Sequence, residues 1–401
     1  MPALLCEALS RKLGRIITLD ELGLSSDLPS TNHLLDWDLD TVVGLTDLGR
    51  VDVNAARRQV LLDVAYSVAA LALPGSSWWT EQARRSRTPI DSRRVGRADV
   101  EAVRDTVALF QQMDQRRGGG HARSAVVQYL TSDVAPLLRG SFAQDQVRRD
   151  MFSAAGELAY LSGWMAFDNA EHSVAQHYFN ASIKLSAEAG DAAMAGHVLR
   201  AMAHQAVDLG HFRQALNLAA ASMTSERYGA ATPRERALLG VVHARALAAN
   251  QQGKQAAQAL ILAEEDLRSA RTGDVDPQRV FFFGEASLAH ETACTLRDVN
   301  DLQGAINHFR RSVRTRKAAS FTRTHAVTLG YLGATQARKG EIEAACRTWA
   351  KALDAMEGVR SGRTRQVAAT IRSTLAPFRR RQLRYVAEVD DHAANYLSAS
   401  S

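Results

Sequence analysis

The chain has little of what builds anything other than helix. Its 401 residues include only 8 prolines and 3 cysteines, and aromatic residues make up 6%. Scarce proline removes the main helix breaker, and abundant alanine favours helix throughout. Cys6, Cys294 and Cys346 are far apart and show no metal-ligand spacing. They argue against a disulfide framework and fit free core thiols in a reducing compartment. No run of about 18 apolar residues occurs, so no membrane span is expected. The start, MPALLCEALSRKLGR, lacks the basic opening, apolar run and small-residue cleavage site of a signal peptide. The expected location is cytoplasmic.

Chemical motifs are missing as well. There is no phosphate-binding loop, no glycine-rich dinucleotide motif, no nucleophile elbow and no metalloprotease helix. No acid–base set assembles, so neither an enzyme nor a cofactor is expected. His172 and His177 do not share a helical face. His204, Asp208 and His211 gather near one turn, where locally bonded side chains explain them better than a metal does.

What the chain does have is arginine. The net charge is +6. The excess lies in three clusters: Arg84 to Arg97, Arg310 to Arg323, and Arg360 to Arg384. No aromatic ladder accompanies the last two, so stacking on single-stranded nucleic acid is not indicated. A solvated face is the simpler reading, and arginine stems covering a terminal repeat is another.

Apolar periodicity predicts a helix over 2–13, a short one opened by the capping box Thr18 to Glu21, and a longer one over 54–72. Two weak strands are suggested at Thr41–Val43 and Val51–Val53. Residues 75–97 read as a polar connector with an exposed Trp78–Trp79 pair. Further helices are expected from Asp99 to about 115, from His121 to Arg139, and from about 144 to 165.

From about residue 153 helical hairpins recur. The cleanest copy, over 326–357, carries Gly333, Gly340, Ala345, Trp349 and Ala352. These fit the tetratricopeptide pattern: a small residue for close helix approach, a glycine at the turn, then small, aromatic and small in the second helix. Weaker copies hold Gly163, Ala175, Phe179 and Ser182; then Gly210, Ala215, Ala219 and Ser222; then Gly253 with Ala256 or Ala257 and Leu260; then Ala305, Phe309 and Ser312. The period is nearer 40 than 34 residues, roughly. The expected fold is all-α, a right-handed superhelical stack of tetratricopeptide-like hairpins behind a helical N-terminal region.

Such arrays have a concave groove that takes peptides, partner helices or small effectors. Periodicity nominates Trp164, His197, His204, His243, Arg245, Glu285, His290 and Arg338 to line it. A second candidate is an anion cradle at the helix start after Gly118, formed by Arg117, Gly119, Gly120, His121 and Arg123. A flexible interhelical turn is the plainer alternative there.

Several segments resemble one family. They are Leu4 to Arg15 with Thr18 to Leu24, Arg117-Gly-Gly-Gly-His-Ala-Arg123, Gly163-Trp-Met-Ala166, Gln176-His-Tyr-Phe179 and Ala203-His-Gln-Ala206. The chain is similar to actinobacterial helix-turn-helix transcriptional regulators with a C-terminal tetratricopeptide region. The resemblance implies a regulatory, ligand- or partner-sensing role. In that family the DNA-reading helices precede the segment matched by Leu4 to Arg15, and here they are absent from the front, so DNA binding by this chain is doubtful. The expected organisation is a helix-turn-helix remnant over 1–24, a helical segment and connector over 25–97, the repeat domain over 98–385, and a tail over 386–401. The expected function is a regulator whose array senses a small ligand or peptide or mediates association. The alternative is a scaffold acting by protein–protein contact alone. A homodimer is expected, with Trp78–Trp79 or the end repeats as its contact.

Overall fold

A computed structural model describes residues 2–13, 15, 17, 21–22, 31–54, 61, 66–90, 92–271, 273, 275–381 and 383–399. Among these the fold is all-α. The only strands are the two-residue β1 (Arg94–Val95) and β2 (Ser141–Phe142), paired in parallel. The helices of eight residues or more are α1 (Pro2–Leu13), α2 (Thr41–Val53), α3 (Ser76–Ala83), α4 (Arg97–Arg117), α5 (Gly119–Tyr129), α6 (Asp145–Asp168), α7 (His172–Ala189), α8 (Ala192–Asp208) and α9 (Phe212–Ser222). They continue with α10 (Pro233–Ala249), α11 (Gly253–Ser269), α12 (Glu285–Asp298), α13 (Leu302–Thr315), α14 (Thr322–Arg338), α15 (Ile342–Ala355), α16 (Gly362–Leu375) and α17 (Arg384–Ala399). No helix among the described residues is long and apolar enough to cross a membrane.

The chain divides into two compact units. The first comprises 1–110, 122–167 and 171–230; the second comprises 111–121, 168–170 and 231–401. These divisions differ from the boundaries expected at 24, 97 and 385.

One local device makes the hairpins. A single residue at each turn takes left-handed backbone: Ala170, Gly210, Gln251, Asn300 and Gly340. The N–H after it returns to a carbonyl five residues back, as in Glu171 to Ala166, His211 to Ala206, Gln252 to Leu247, Asp301 to Leu296 and Glu341 to Gln336. This is a Schellman closure. Gln251, not Gly253, therefore marks the third turn. Counting from each turn, the fifth residue is alanine: Ala175, Ala215, Ala256, Ala305 and Ala345, all at most 1% exposed. Ala256 thus fills the position the sequence left open with Ala257. Phe179, Ala219, Leu260, Phe309 and Trp349 follow one helical turn on, then Ser182, Ser222, Ala263, Ser312 and Ala352, and all are buried.

The first helix of each hairpin answers with a small residue before the turn: Gly163, Ala203, Ala244, Ala293 and Gly333. A Cβ at Gly163 would lie 2.8 Å from the Phe179 ring, and one at Gly333 would lie 2.4 Å from Trp349 Nε1. Trp349 Nε1 also donates to Gly330 O at 3.1 Å, so the indole leaves no polar atom unmet. In the second unit the hairpins α10/α11, α12/α13, α14/α15 and α16/α17 pair internally, and α10 with α12, α13 with α14, α14 with α16, and α15 with α17 join successive hairpins.

In the first unit α7 is buried on every side from Ser173 to Ala189, and α8 from Ala193 to Val207. The turn Thr31–Leu35, α2 and α3 all pack on α7. The strands expected at 41–43 and 51–53 are both helix. Asp40 caps α2 by accepting from Val42 N at 3.0 Å and Val43 N at 3.1 Å. Burial of Val42, Leu45, Leu48 and Asp52 on one face overrides the β propensity of the valines. Gly49 lets α2 sit against the π-helical turn Leu130–Val134, where a Cβ would strike Thr131.

Trp78 is not exposed. It is buried on α3, its ring edge-on to Trp37 at 5.4 Å, while Arg227 lies 4.4 Å from the Trp79 ring. Trp78 is therefore core and Trp79 is half-buried, where an exposed pair was expected. The expected tail is helical to Ala399, with Val386, Val389 and Ala393 buried in the last core cluster. Cys294 and Cys346 are free and buried, as expected. Thr18 of the capping box, the Cys6 side chain and most of the 54–72 helix lie outside the described residues. The end of that segment differs from expectation, because Tyr66–Ser67 is not helical and Ala69–Leu71 forms a 3-10 turn.

The hairpin packing makes a graded prediction. Gly333→Ala should lower stability by about 1–3 kcal/mol through overpacking against Trp349. Gly210→Ala, at φ +78° with open space around it, should cost only about 1–2 kcal/mol of backbone strain. Urea unfolding of both variants checks the order, and a larger loss for Gly210→Ala would contradict it.

Candidate functional site

A buried helix can carry polar side chains only where each finds a partner. On α7, Gln176, Asn180, Lys184 and Glu188 follow one another at single turns and form one stripe. Gln176 makes a two-way clamp on Ser67: its Oε1 accepts from Ser67 N at 2.9 Å and its Nε2 donates to Ser67 O at 2.6 Å. Asn180 Nδ2 donates to Leu35 O at 3.1 Å. Lys184 Nζ donates to Asp36 O and to Leu39 O, the latter at 3.0 Å. Glu188, fully buried, takes a two-point fork from Arg87 at 2.7 Å on both oxygens, and Arg87 also meets Asp40 at 2.9 Å. Four successive turns of helix thus hold the backbone and charges of non-helical chain from the N-terminal region.

The electrostatics follow the burial. Burial lowers the Lys184 pKa to about 8, against the opposing fields of Asp36, Asp38 and Asp40. Burial also works against the Arg87 charge, but Glu188 and Asp40 outweigh it and hold that pKa above its ordinary value. Beside the stripe, Asp52 accepts from Tyr178 Oη at 2.8 Å and from Arg123 at 2.5 Å, and Arg123 reaches Glu171 at 3.5 Å. The sequence reading did not nominate this stripe. The available signal was large polar residues at four-residue spacing on a helix whose remaining positions are mostly apolar or small.

The residues nominated for a groove fall in several places. In the first unit Trp164, His197 and His204 converge in an aromatic cluster. Tyr160 lies 4.6 Å from His197, and Trp164 lies edge-on to His204 at 5.9 Å. Arg200 crosses the faces of Tyr160 and Trp164, donates to Tyr160 Oη at 2.6 Å, and donates to His197 Nε2 at 3.0 Å. An arginine cannot accept, so Nε2 of His197 is the acceptor. His204 and Asp208 approach at 3.7 Å, while His211 stacks on Tyr66 at 5.6 Å.

In the second unit Arg245 lies 3.6 Å from Glu291, the residue that follows His290. His290 Nδ1 bonds with Thr328 Oγ1 at 2.9 Å, and its ring stacks on Tyr331 at 5.7 Å. Burial, reinforced by Arg316, Arg245, Arg363 and Arg297, holds His290 well below the ordinary imidazole range, so it is neutral. Burial pushes the nearby Cys294 thiol up to about 12. His243 is half-buried, and burial lowers its pKa. Glu285 is exposed and pairs with Arg311 at 3.0 Å. Arg338 is exposed too and reaches Asn300 at 3.4 Å.

The glycine-rich helix start does meet an anion, and the anion is the chain's own. Gly119 N donates to Asp168 Oδ2 at 3.0 Å, and Gly120 N donates to Arg360 O at 3.1 Å. Gly118, at φ +84°, has Arg360 O where a Cβ would sit. Arg117 and His121 are exposed, and Arg123 serves Asp52 in the first unit. Asp168 Oδ1 also accepts from Arg323 at 2.6 Å, and Asp114 accepts from the same guanidinium at 2.9 Å. Two buried carboxylates therefore share the Arg323 guanidinium, and the field of Arg363 also reaches Asp114. Burial pushes Asp114 up to about 6, with Arg323 opposing and Asp168 adding to the rise.

Among the described residues no group of three or more His, Cys, Asp or Glu side chains is placed to hold a metal ion. No protein-family model, curated protein or solved structure matches the chain.

The carboxylate pair makes a signed prediction. Asp114 binds its proton more tightly folded than unfolded, so its contribution is fully present below the ordinary value of 3.8 and is lost as pH rises to about 6. Stability should fall over that window, by at most about 1.4 kcal/mol per pH unit from this group. Asp114→Asn should flatten the fall, measured by urea unfolding at pH 4 to 8. Arg323→Met should instead cost about 3–5 kcal/mol at neutral pH, because it strands both carboxylates. An unchanged pH profile in Asp114→Asn would refute the assignment.

Proposed function

We propose that the chain is a regulatory protein that acts by association, with its helical hairpins holding peptide segments. The α7 stripe carries this reading. Side chains that bond backbone amides and carbonyls recognise a chain by its main chain, and Lys184 and Glu188 add selection by charge. The stripe holds residues 35–40 and Ser67 of this same chain, which supports its fitness for a peptide. The similarity to helix-turn-helix regulators with tetratricopeptide regions supplies the regulatory half of the reading. In that setting the array is the partner-sensing part. DNA contact by the chain itself is not needed for this role. Binding to duplex at two salt concentrations would measure it, since nonspecific arginine contact fades steeply with salt.

A peptide copying residues 33–42 (HLLDWDLDTV) is the direct probe. Labelled peptide should bind the full chain, and Asp40→Ala, which loosens the chain's own segment, should bind it about tenfold more tightly. Adding Lys184→Met should abolish the gain. Absence of binding to Asp40→Ala by fluorescence anisotropy at about 1 mM, equivalent to less than 4 kcal/mol, would reduce the stripe to internal packing and sink the proposal.

A further inference from the structure

We propose that the second unit contains a binding site for a small oxyanion, the carboxylate or phosphate group of a metabolite, at Arg316 beside the start of α12. Arg316 follows α13 directly and is only 8% exposed. Its guanidinium donates to neutral groups alone: Ala286 O at 3.0 Å, Ser312 Oγ at 3.2 Å and, weakly, Ser287 Oγ at 3.5 Å. Its Nε has no partner. No carboxylate pairs with it among the described residues.

Other buried arginines are treated differently. Arg123, Arg279 and Arg323 each meet a carboxylate, at 2.5, 2.7 and 2.6 Å. Arg227, also without one, rests against the Trp79 ring. Arg316 has neither solution. A guanidinium stays charged at any working pH, and a buried charge without a counterion is strongly unfavourable.

The surroundings deepen the deficit. The carboxylate whose field supports Arg316 is Glu291, and it lies against Arg245. Asp298 is taken by Arg297 at 2.8 Å, and Asp114 and Asp168 are taken by Arg323. His290 is neutral and the Cys294 thiol keeps its proton, so neither supplies negative charge. A free Nε–H and a weakly engaged Nη1 are the donors left for an oxyanion, since the Ser287 and Ser312 hydroxyls already donate to Phe282 O and Ala286 O.

The test uses the full chain with inorganic phosphate and with succinate, against sodium chloride at matched ionic strength. One of the two should raise Tm by about 2 °C or more at about 10 mM and bind with one-to-one stoichiometry by calorimetry. The arm that responds identifies the group. Arg316→Met should lose the response while remaining at least as stable as the parent without anion, because an uncompensated charge has been removed. Arg316→Lys should keep the charge but bind about tenfold more weakly, having lost the planar fork. The proposal fails if neither probe acts, or if Arg316→Met responds equally. It also fails if Arg316→Met is markedly destabilised or does not fold, since Arg316 would then be a capping residue. The α7 stripe belongs to the first unit, so this outcome and that of the peptide experiment are read separately.

Discussion

Buried polar groups decide which segments can pack together in this molecule. Helices α7 and α8 have almost no solvent-facing side, yet α7 carries glutamine, asparagine, lysine and glutamate along one line. Each unmet group there would cost about 1–3 kcal/mol, and a charge more. The N-terminal segments remove those costs by presenting carbonyls, amides and Arg87 where the stripe needs them. The first unit is therefore held by polar matching as well as by its apolar core.

The hairpins depend on a different constraint, the distance between backbones. Glycine or alanine on the first helix admits the phenylalanine or tryptophan of the second. The left-handed residue at each turn then fixes where the second helix begins. Only Gly210 and Gly340 among the five turn residues are glycine; Ala170, Gln251 and Asn300 take the same backbone despite their Cβ. Their strain is offset by the paired hydrogen bonds of the closure and by the packing that follows.

This explains what could be read in advance. The all-α class, the hairpins from about 153 onward and the small–large–small spacing were legible because they are local and periodic. Gly253 misled because glycine was taken as the turn marker, whereas Gln251 holds the left-handed position. Valine-rich α2 read as strand because its burial against the rest of the first unit is not a local property. The binding surfaces were the least legible. His197 and His204 do face neighbouring helices, but into an aromatic cluster around Arg200. The glycine-rich helix start does bind an anion, yet sequence cannot show that Asp168 already supplies it.

Arginine is where the two units part. In the first unit Arg87 and Arg123 are each met by two carboxylates, and Arg200 is framed by aromatic faces. These sites are electrostatically closed. In the second unit the distribution is uneven. Asp114 and Asp168 crowd one guanidinium, so that one of them leans toward its proton, while Arg316 goes without. Such an imbalance is costly to stability, because a buried guanidinium without a carboxylate keeps its desolvation penalty. It is also what the proposed anion site requires: a charge kept desolvated and uncompensated until a ligand brings the missing partner.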